Sequence, residues 1–215
     1  MWALLVDFDG TIVTEDIAER ALSRFATPGW EKFNELLAGG EISVDECVRQ
    51  EYGMIRARSE KEITDYLRSH YHLRPGFRNL IQECSSRKLE FAIVSAGLDF
   101  CIKDAFETFG ITLPRLICPK SRFTPQGTIR LTFPRYRWPD SRDFKEDAVF
   151  SYKDSGFRVA YVGDGAGDVH AAEASDRVFA IEGSTLQAMC RDRGVSHRAV
   201  KTFAPIMRRL DGVEP

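Results

Sequence analysis

The feature that most constrains the fold is a regular alternation of short apolar runs with stretches of helical periodicity. Runs that are apolar at nearly every position occur at 2–7, 89–95 and 157–163, with a shorter one at 177–181. Such runs are typical of strands buried on both faces of a parallel sheet. Helical patterns lie between them, at 77–88, 98–109, 143–152, 169–174 and 185–193. This alternation predicts an α/β fold with three layers, in which helices cover both faces of a parallel sheet.

One region breaks this alternation. Between residues 16 and 72 the apolar pattern is helical only, and glycines at 39 and 40 interrupt it. We therefore predict an α/β core made of residues 1–15 and 73–215, with an all-helical domain of residues 16–72 inserted into it. A second irregular stretch, 119–142, contains a glycine-bearing loop at 123–129 and predicts a small β-hairpin excursion.

Charge and cysteine usage exclude several classes of protein. Thirty basic and 32 acidic residues give a net charge of −2, so we expect no nucleic-acid partner. The apolar run near the start, 2–6, is far shorter than the roughly 20 residues that span a bilayer, so we expect no membrane partner. The five cysteines contain no CxxC pair. Because the sequence also shows no signal-peptide pattern, we expect reduced thiols and a cytoplasmic location.

Carboxylates follow two of the predicted strands. Asp7 and Asp9 end the first strand, and Asp164 and Asp168 follow the run at 157–163. Open α/β sheets bind ligands at the carboxyl ends of their strands. Carboxylates brought together repel unless a cation or proton lies between them, and four of them suit a hard divalent cation, above all Mg²⁺. The alternative interpretation is structural: Asp-Gly turns after each strand, with Asp168 as a helix N-cap.

Two further features suit a phosphate group. Ser95, Ala96 and Gly97 join a strand to a helix, where a hydroxyl and free backbone N–H groups can bind phosphate oxygens, although a serine there can also be only an N-cap. Lys145 lies in the first turn of another predicted helix, and Lys153 on the same helix is its competitor. These residues supply a carboxylate that can attack phosphorus, a cation and a lysine that neutralise charge, and a second carboxylate that can move protons. Together they predict a Mg²⁺-dependent phosphomonoester hydrolase.

These residues also carry a resemblance to a known family. Residues 7–11 (DFDGT), Ser95, Lys145 and residues 163–168 (GDGAGD) match, in order, the four motifs of the haloacid-dehalogenase-like phosphohydrolase superfamily. The chain resembles this superfamily over the whole core, which implies a Rossmann-like arrangement. The helical insertion after the first motif is similar to the cap of the phosphoserine-phosphatase-like branch. The spacing in that branch favours Lys145 over Lys153.

The resemblance implies a role for each motif residue. Asp7 would be the nucleophile, and Asp9 the general acid and base. Asp7, Asp164 and the backbone carbonyl of Asp9 would ligate Mg²⁺, with Asp168 holding the metal site through water. The phosphoryl oxygens would be bound by Ser95, Lys145 and backbone N–H groups near Ala96, Gly97 and Gly165.

The resemblance leaves the small phosphomonoester substrate open. The stretches 26–30 and 40–53 are similar to methionine-salvage phosphatases, but the Cys-rich stretch of those enzymes is absent from 119–144. Phosphoserine phosphatases carry a cap arginine where this chain has Glu51, and the nearby Arg49 is out of register, so phosphoserine is disfavoured. Glu51 could face the pocket and favour a cationic substrate such as phosphoethanolamine. We expect instead that it is a solvated helix residue.

Three rival functions remain. A phosphotransferase or mutase would use the same aspartyl-phosphate, and a non-enzymatic phospho-receiver would also need an aspartate cluster and a lysine. The interleaved arginines and aromatic residues of 122–142 could bind single-stranded nucleic acid, although such stretches more often pack on one another. The oligomeric state is also open.

Overall fold

The computed structural model describes residues 1–210 and confirms the α/β fold with a parallel sheet. The strands are β1 (Trp2–Val6), β2 (Glu90–Val94), β3 (Arg115–Ile117), β4 (Lys120–Phe123), β5 (Ile129–Thr132), β6 (Arg158–Gly163), β7 (Arg177–Ile181) and β8 (Arg198–Val200). Six of them form one sheet in the order β3-β2-β1-β6-β7-β8, with every pairing parallel. The sequence patterns missed β3 and β8, because each has three residues and lies at an edge, where no long apolar run is needed.

Ten α-helices occur in the described residues. They are α1 (Ile17–Phe25), α2 (Glu31–Ala38), α3 (Val44–Gly53), α4 (Glu60–Leu67), α5 (Phe77–Ser86), α6 (Asp99–Phe109), α7 (Phe144–Asp154), α8 (Val169–Ala174), α9 (Thr185–Asp192) and α10 (Ile206–Leu210). The predicted helices from α5 to α9 are present to within two residues. Among residues 1–210 no helix is long and apolar enough to cross a membrane.

The sheet separates two apolar clusters, because alternate side chains of a strand point to opposite faces. On one face Leu4 and Val6 pack in a cluster with Phe77 of α5 and Phe106 of α6. On the other face Ala3, Leu5 and Tyr161 pack in a cluster with residues of α7 and α8. The three layers follow from this alternation, and both clusters are closed to solvent.

The segment that contains helices α1 to α4 is joined to the rest of the chain by two connections that lie side by side. Val13 and Leu73 form an antiparallel bridge, and the backbone N–H of Arg74 donates to the Ile12 carbonyl at 2.8 Å. The helical content of 16–72 agrees with the sequence pattern, while its separation as a domain stays a prediction. The last five residues of the predicted core range 73–215 lie outside the described residues.

The predicted hairpin is present as β4 and β5. The two strands pair antiparallel from Lys120 opposite Thr132 to Phe123 opposite Ile129. The Thr124 N–H donates to the Thr128 carbonyl at 2.8 Å and closes the loop. Ile129 is buried, so this excursion packs on the molecule instead of extending into solvent.

Candidate active site

The two aspartate motifs meet because β1 and β6 are neighbours in the sheet. Asp7 follows β1, and its backbone N–H donates to the Val162 carbonyl of β6 at 2.9 Å. Asp164 follows β6. The chain connections run outward in opposite directions from this pair of strands, so the site lies at the switch point where open α/β sheets bind ligands.

The loop after β1 fits closely against Asp164. Gly10 has a φ of 62°, a left-handed conformation that favours glycine. A Cβ at this position would lie 2.1 Å from Asp164 Oδ2, so the close approach also needs glycine. The Thr11 hydroxyl donates to Asp164 Oδ1 at 2.7 Å. The DFDGT sequence thereby orients an acid that is 153 residues away along the chain.

Helix α7 brings Lys145, and not Lys153, to the aspartates. The Lys145 ammonium donates to Asp7 Oδ1 at 2.8 Å and to Asp168 Oδ1 at 2.7 Å. Burial favours the neutral amine, but the charges of Asp168 and Asp7 outweigh it and raise the pKa of Lys145 above its usual value. Lys153 instead donates to the Ala174 carbonyl at 2.7 Å, away from the site.

Asp168 is held by four hydrogen bonds. Its Oδ1 accepts from Lys145 and, at 2.7 Å, from the Tyr161 hydroxyl. Its Oδ2 accepts from the backbone N–H groups of Asp164 at 3.0 Å and Gly165 at 2.9 Å. The sequence did not reveal the part played by Tyr161, because a tyrosine within an apolar strand looks like ordinary core. These contacts make Asp168 the group that fixes Lys145 and the loop after β6.

The Asp9 carboxyl faces the start of α1. Its Oδ1 accepts backbone N–H bonds from Ile17 at 3.0 Å and Ala18 at 3.2 Å. Burial raises the pKa of Asp9 well above its usual value, and the charge of Asp16 adds to this effect, while the two backbone bonds partly offset it. A carboxyl with a raised pKa keeps its proton to a higher pH than an ordinary carboxyl does, which favours its use as a general acid.

Three carboxylates lie close enough to share a cation. Asp7, Asp164 and Asp168 each offer one oxygen, and these oxygens lie within 4.8 Å of one another. Burial and the charge of Asp168 raise the pKa of Asp7, and the same two causes raise the pKa of Asp164 to about 7. One lysine, Lys145, does not neutralise three carboxylates. Their oxygens therefore fit a divalent cation that prefers oxygen ligands, such as Mg²⁺.

The serine motif lies at the end of β2, beside Asp9. Ser95 is fully buried, and its Oγ accepts the Gly97 N–H at 3.0 Å, which leaves the serine O–H as a donor. A Cβ on Gly97 would lie 2.5 Å from Asp9 Oδ2, so a larger residue does not fit. Two of the N–H groups predicted to bind phosphate, those of Gly97 and Gly165, donate here to Ser95 and Asp168.

A cavity of about 580 Å³ extends from these residues to α1, α2 and α3. Glu51 lines it and is only 4% exposed, so the expectation of a solvated Glu51 is wrong. The reason is the register of α3, which turns Glu51 to the same buried face as Cys47 and Val48. Burial raises the pKa of Glu51 to about 8. Arg49 lies on the exposed side, 2.8 Å from Glu46.

Comparison with known proteins agrees with this arrangement. Residues 4–173 match the family model for haloacid dehalogenase-like hydrolases. The chain belongs to this family. The hydrolase is 31% identical to the 2-hydroxy-3-keto-5-methylthiopentenyl-1-phosphate phosphatase of Geobacillus kaustophilus, over 98% of this chain and 96% of the relative. A protein of the same name from Exiguobacterium sibiricum is 27% identical, over 98% and 97% of the two chains. The hydrolase is accordingly a phosphatase.

Solved structures show the same fold at lower identity. A phosphoserine phosphatase, solved as an analogue of its phospho-aspartyl intermediate, has a TM-score of 0.71 and 16% identity, with 97% of both chains covered. A phosphoserine phosphohydrolase-like protein from Francisella tularensis has a TM-score of 0.69 and 20% identity, with 98% of this chain and 100% of that one covered. The predicted similarity of the fold to this branch of the family is therefore confirmed.

Two residues outside the motifs brace the site of the hydrolase. Arg74, on the connection that returns from the helices, donates to the carbonyls of Gly10 and Thr11. His170 Nδ1 lies 2.7 Å from Asp143 Oδ2, the residue that caps α7 just before Lys145. His170 therefore supports the helix that carries Lys145. Neither contact could be predicted from the sequence, because each joins residues that are far apart along the chain.

Part of the arginine and aromatic stretch of 122–142 contacts helices of the hydrolase, while Arg122, Arg130 and Arg135 are exposed. The Tyr136 hydroxyl donates to Asp45 Oδ2 at 2.7 Å. The guanidinium of Arg49 lies 4.8 Å from the centre of the Phe133 ring. Arg142 pairs with Glu146 at 2.6 Å and with Glu173 at 2.7 Å. These contacts tie the stretch to α3, α7 and α8, as packing of arginines on aromatic rings and acids predicts.

Proposed function

We propose that the hydrolase is a Mg²⁺-dependent phosphomonoester hydrolase that acts on a small phosphorylated metabolite through an aspartyl-phosphate at Asp7. The observation that carries the proposal is the placement of Lys145 between Asp7 and Asp168, with Asp164 and Asp9 beside them. The curated relatives that match nearly the whole chain are named as phosphatases, which supports the same chemistry.

The residues that would hold Mg²⁺ are the carboxylates of Asp7 and Asp164 and the backbone carbonyl of Asp9. When bound, Mg²⁺ supplies positive charge that lets a phosphoryl group approach the aspartates. Asp168 already accepts four hydrogen bonds from protein groups. We therefore assign Asp168 to orienting Lys145 and the Asp164 loop, through which it supports the metal site.

The reaction has two displacements at phosphorus. In the first, a carboxylate oxygen of Asp7 bonds to phosphorus, the ester P–O bond breaks, and Asp9 gives its proton to the leaving oxygen. In the second, Asp9 takes a proton from water as the water oxygen bonds to phosphorus, and the bond to Asp7 breaks. Lys145 and the Ser95 hydroxyl stabilise the phosphoryl oxygens in both steps. The raised pKa of Asp9 suits it to both proton transfers.

Residues 16–72 serve in this proposal as a cap. The cavity beside Asp7 is lined on its other side by residues of α1, α2 and α3. A substrate would therefore place its phosphate among the aspartates and its remaining atoms against these helices. Enclosure of this kind excludes bulk water and strengthens the electrostatic contacts around the reacting phosphate.

The test is phosphate release from a panel of phosphomonoesters, with Mg²⁺ and with EDTA. The panel contains p-nitrophenyl phosphate, phosphoserine, amino-alcohol phosphates, sugar phosphates and the methylthiopentenyl phosphate in the relatives' names. We expect Mg²⁺-dependent release that Asp7→Asn lowers at least about a thousandfold, while the exposed Asp192→Asn retains wild-type rates. No release from any ester would contradict the proposal.

Two further readouts separate the rival functions. Phosphate that passes to an added alcohol in preference to water would identify a phosphotransferase or mutase. A long-lived phosphoryl group on Asp7 without turnover would identify a phospho-receiver. Both outcomes are visible in the same experiment, by mass spectrometry of the intact protein and of the products.

A further inference from the structure

The cap side of the cavity is acidic. The exposed Asp16 and Glu19 at the start of α1 and the buried Glu51 of α3 line it, and Asp16 is near enough to Asp9 for its charge to raise the pKa of Asp9. Among the charged residues that line the whole cavity in the described chain, seven are acidic and one, Lys145, is basic. The Lys145 ammonium already contacts Asp7 and Asp168. The part of the cavity that would hold the rest of the substrate is therefore lined by acidic groups, and no basic side chain within residues 1–210 lines it.

Glu51 is the residue that distinguishes this region from an ordinary acidic surface. It is 4% exposed, and within residues 1–210 its Oε1 is buried and has no hydrogen-bond partner. The Cys47 thiol, a weak donor, contacts the Glu51 carboxyl and also lies 3.9 Å from Asn34 Oδ1, but it leaves Glu51 Oε1 without a partner. Native proteins leave few buried carboxylate oxygens unpaired, because the loss of hydrogen bonds to water is costly. An unpaired oxygen on a cavity wall indicates that its partner is the cavity's ligand.

The charge of this wall restricts what the ligand can be. A substrate with a carboxylate at its distal end, such as phosphoserine, would place that group among Asp16, Glu19 and Glu51. No arginine, lysine or histidine of the described residues lines this side of the cavity. Like charges in a partly buried site repel strongly. An N–H cation would instead satisfy Glu51 Oε1 and be attracted by all three acids.

We propose that Glu51 binds an ammonium or other N–H cation at the end of the substrate opposite the phosphate, so that the substrate class is the phosphorylated amino alcohols. This inference rests on the proposed function, which places the phosphate at Asp7. Glu51 acts as a specificity-determining residue, and Asp16 and Glu19 contribute charge to the same wall. The cavity of about 580 Å³ has room for a small metabolite of this kind.

The test compares pairs of esters that differ only at their distal group. Aminoalkyl phosphates of two, three and four carbons are each matched with the hydroxyalkyl phosphate of the same length. The value of kcat/KM is measured with Mg²⁺ at pH 8.5, above the pKa of about 8 to which burial raises Glu51. We expect the wild-type protein to prefer the amine by about 10- to 100-fold at one length at least, since a hydrogen bond to a charged group carries this discrimination. The preference should lie mainly in KM.

Matched variants assign the preference to Glu51. In Glu51→Gln, which keeps the shape and removes the charge, the amine-to-hydroxyl ratio should fall towards one. Glu46→Gln removes a carboxylate from the exposed side of the same helix and should keep the wild-type ratio. Both values of kcat/KM in the ratio are measured on the same protein sample, so a lower fraction of folded protein in a variant does not alter the ratio.

The outcomes separate this inference from the proposed function. Hydrolysis of both members of every pair at equal kcat/KM in the wild type would overturn the assignment of Glu51, while leaving the phosphatase chemistry intact. A ratio that survives in Glu51→Gln would also overturn it. Phosphocholine carries the charge without an N–H, and a kcat/KM at or above that of phosphoethanolamine would overturn the N–H contact. If the wild-type protein hydrolyses neither the paired esters nor p-nitrophenyl phosphate, that result contradicts the proposed function instead.

Discussion

Asp9 Oδ1 lies 3.0 Å from the backbone nitrogen of Ile17, the first residue of α1. The Ala18 N–H also donates to the same oxygen. The carboxyl that we propose as the general acid is therefore oriented by the helix that begins the inserted segment. A helix N-terminus favours the charged form of a carboxylate, and burial favours the neutral form. The balance raises the pKa of Asp9, so the position of α1 affects how readily Asp9 gives up its proton.

Asp9→Asn should lower kcat for alkyl phosphates by about 100- to 10,000-fold, the usual contribution of a general acid. The loss should be smaller for p-nitrophenyl phosphate, because nitrophenolate leaves without a proton. The asparagine oxygen can still accept from Ile17 and Ala18, so we expect the fold to persist, as circular dichroism would show. Equal losses on both kinds of ester would contradict the role of Asp9 in protonating the leaving group.

Lys145→Met should destabilise the protein and abolish most of its activity. The change leaves the buried Asp7 and Asp168 without their cation, and breaking a buried ion pair in this way costs about 3–5 kcal/mol. Lys153→Met, on the same helix, is the control and should cost at most about 1 kcal/mol, since its pair with Asp176 is partly exposed. Urea unfolding of both variants gives the comparison. Similar losses in both would show that Lys145 is not the charge partner of the aspartates.

Gly97→Ala should lower activity without unfolding the protein. The added methyl group would lie 2.5 Å from Asp9 Oδ2 and 3.2 Å from Ser95 Oγ, so the acid has to move. We expect kcat/KM to fall by about tenfold or more, because small displacements of catalytic groups are costly. Gly53→Ala is the matched control, since its new Cβ would meet no atom within 4 Å. Wild-type kinetics in Gly97→Ala would mean that Asp9 can relax freely.

Stability should depend on pH and on Mg²⁺ in a linked way. Folding raises the pKa of Asp164 to about 7 and that of Glu51 to about 8. At a pH between the unfolded and the folded pKa of each carboxyl, the folded chain keeps a proton that the unfolded chain has lost. The free energy of unfolding therefore falls as the pH rises from the unfolded pKa to the folded pKa. In EDTA the melting temperature should therefore fall from pH 5.5 to pH 8, and less steeply in Glu51→Gln.

Mg²⁺ should reverse part of this loss. At pH 8 the ion binds ionised carboxylates and should raise the melting temperature by several degrees, whereas at pH 5.5 it competes with protons and should have little effect. Differential scanning fluorimetry at both pH values, with Mg²⁺ and with EDTA, provides the measurement. An equal effect of Mg²⁺ at both pH values would show that these carboxylates do not take part in binding it.

The sequence was most informative where one local pattern determines the structure. The apolar run at 157–163 predicted β6 as it is found, and the motif lysine was correctly separated from Lys153 as the one that reaches Asp7. The strand follows from its apolar periodicity, whereas the choice of Lys145 follows from the motif spacing in the family that the chain resembles.

Contacts between distant segments could not be predicted in the same way. Two examples are the hydrogen bond from Tyr161 to Asp168 and the hydrogen bond from Arg74 to the Gly10 carbonyl. Both depend on how helices, strands and loops pack in three dimensions. Glu51 was misjudged because a glutamate in an amphipathic helix is usually solvated, and only the orientation of α3 shows otherwise. The predicted roles of the site residues and the boundaries of the cap stay predictions that the experiments above address.

Gly10 and Gly97 have a consequence for anyone who wishes to alter this enzyme. Each faces an aspartate oxygen so closely that one additional carbon atom would displace the aspartate. A mutant library aimed at new substrates should therefore leave both positions fixed. Diversity belongs on α3, around Glu51, where side chains line the cavity and are far in sequence from the residues that carry the chemistry. The protein thus separates a part that tolerates almost no variation from a part on which selection can act.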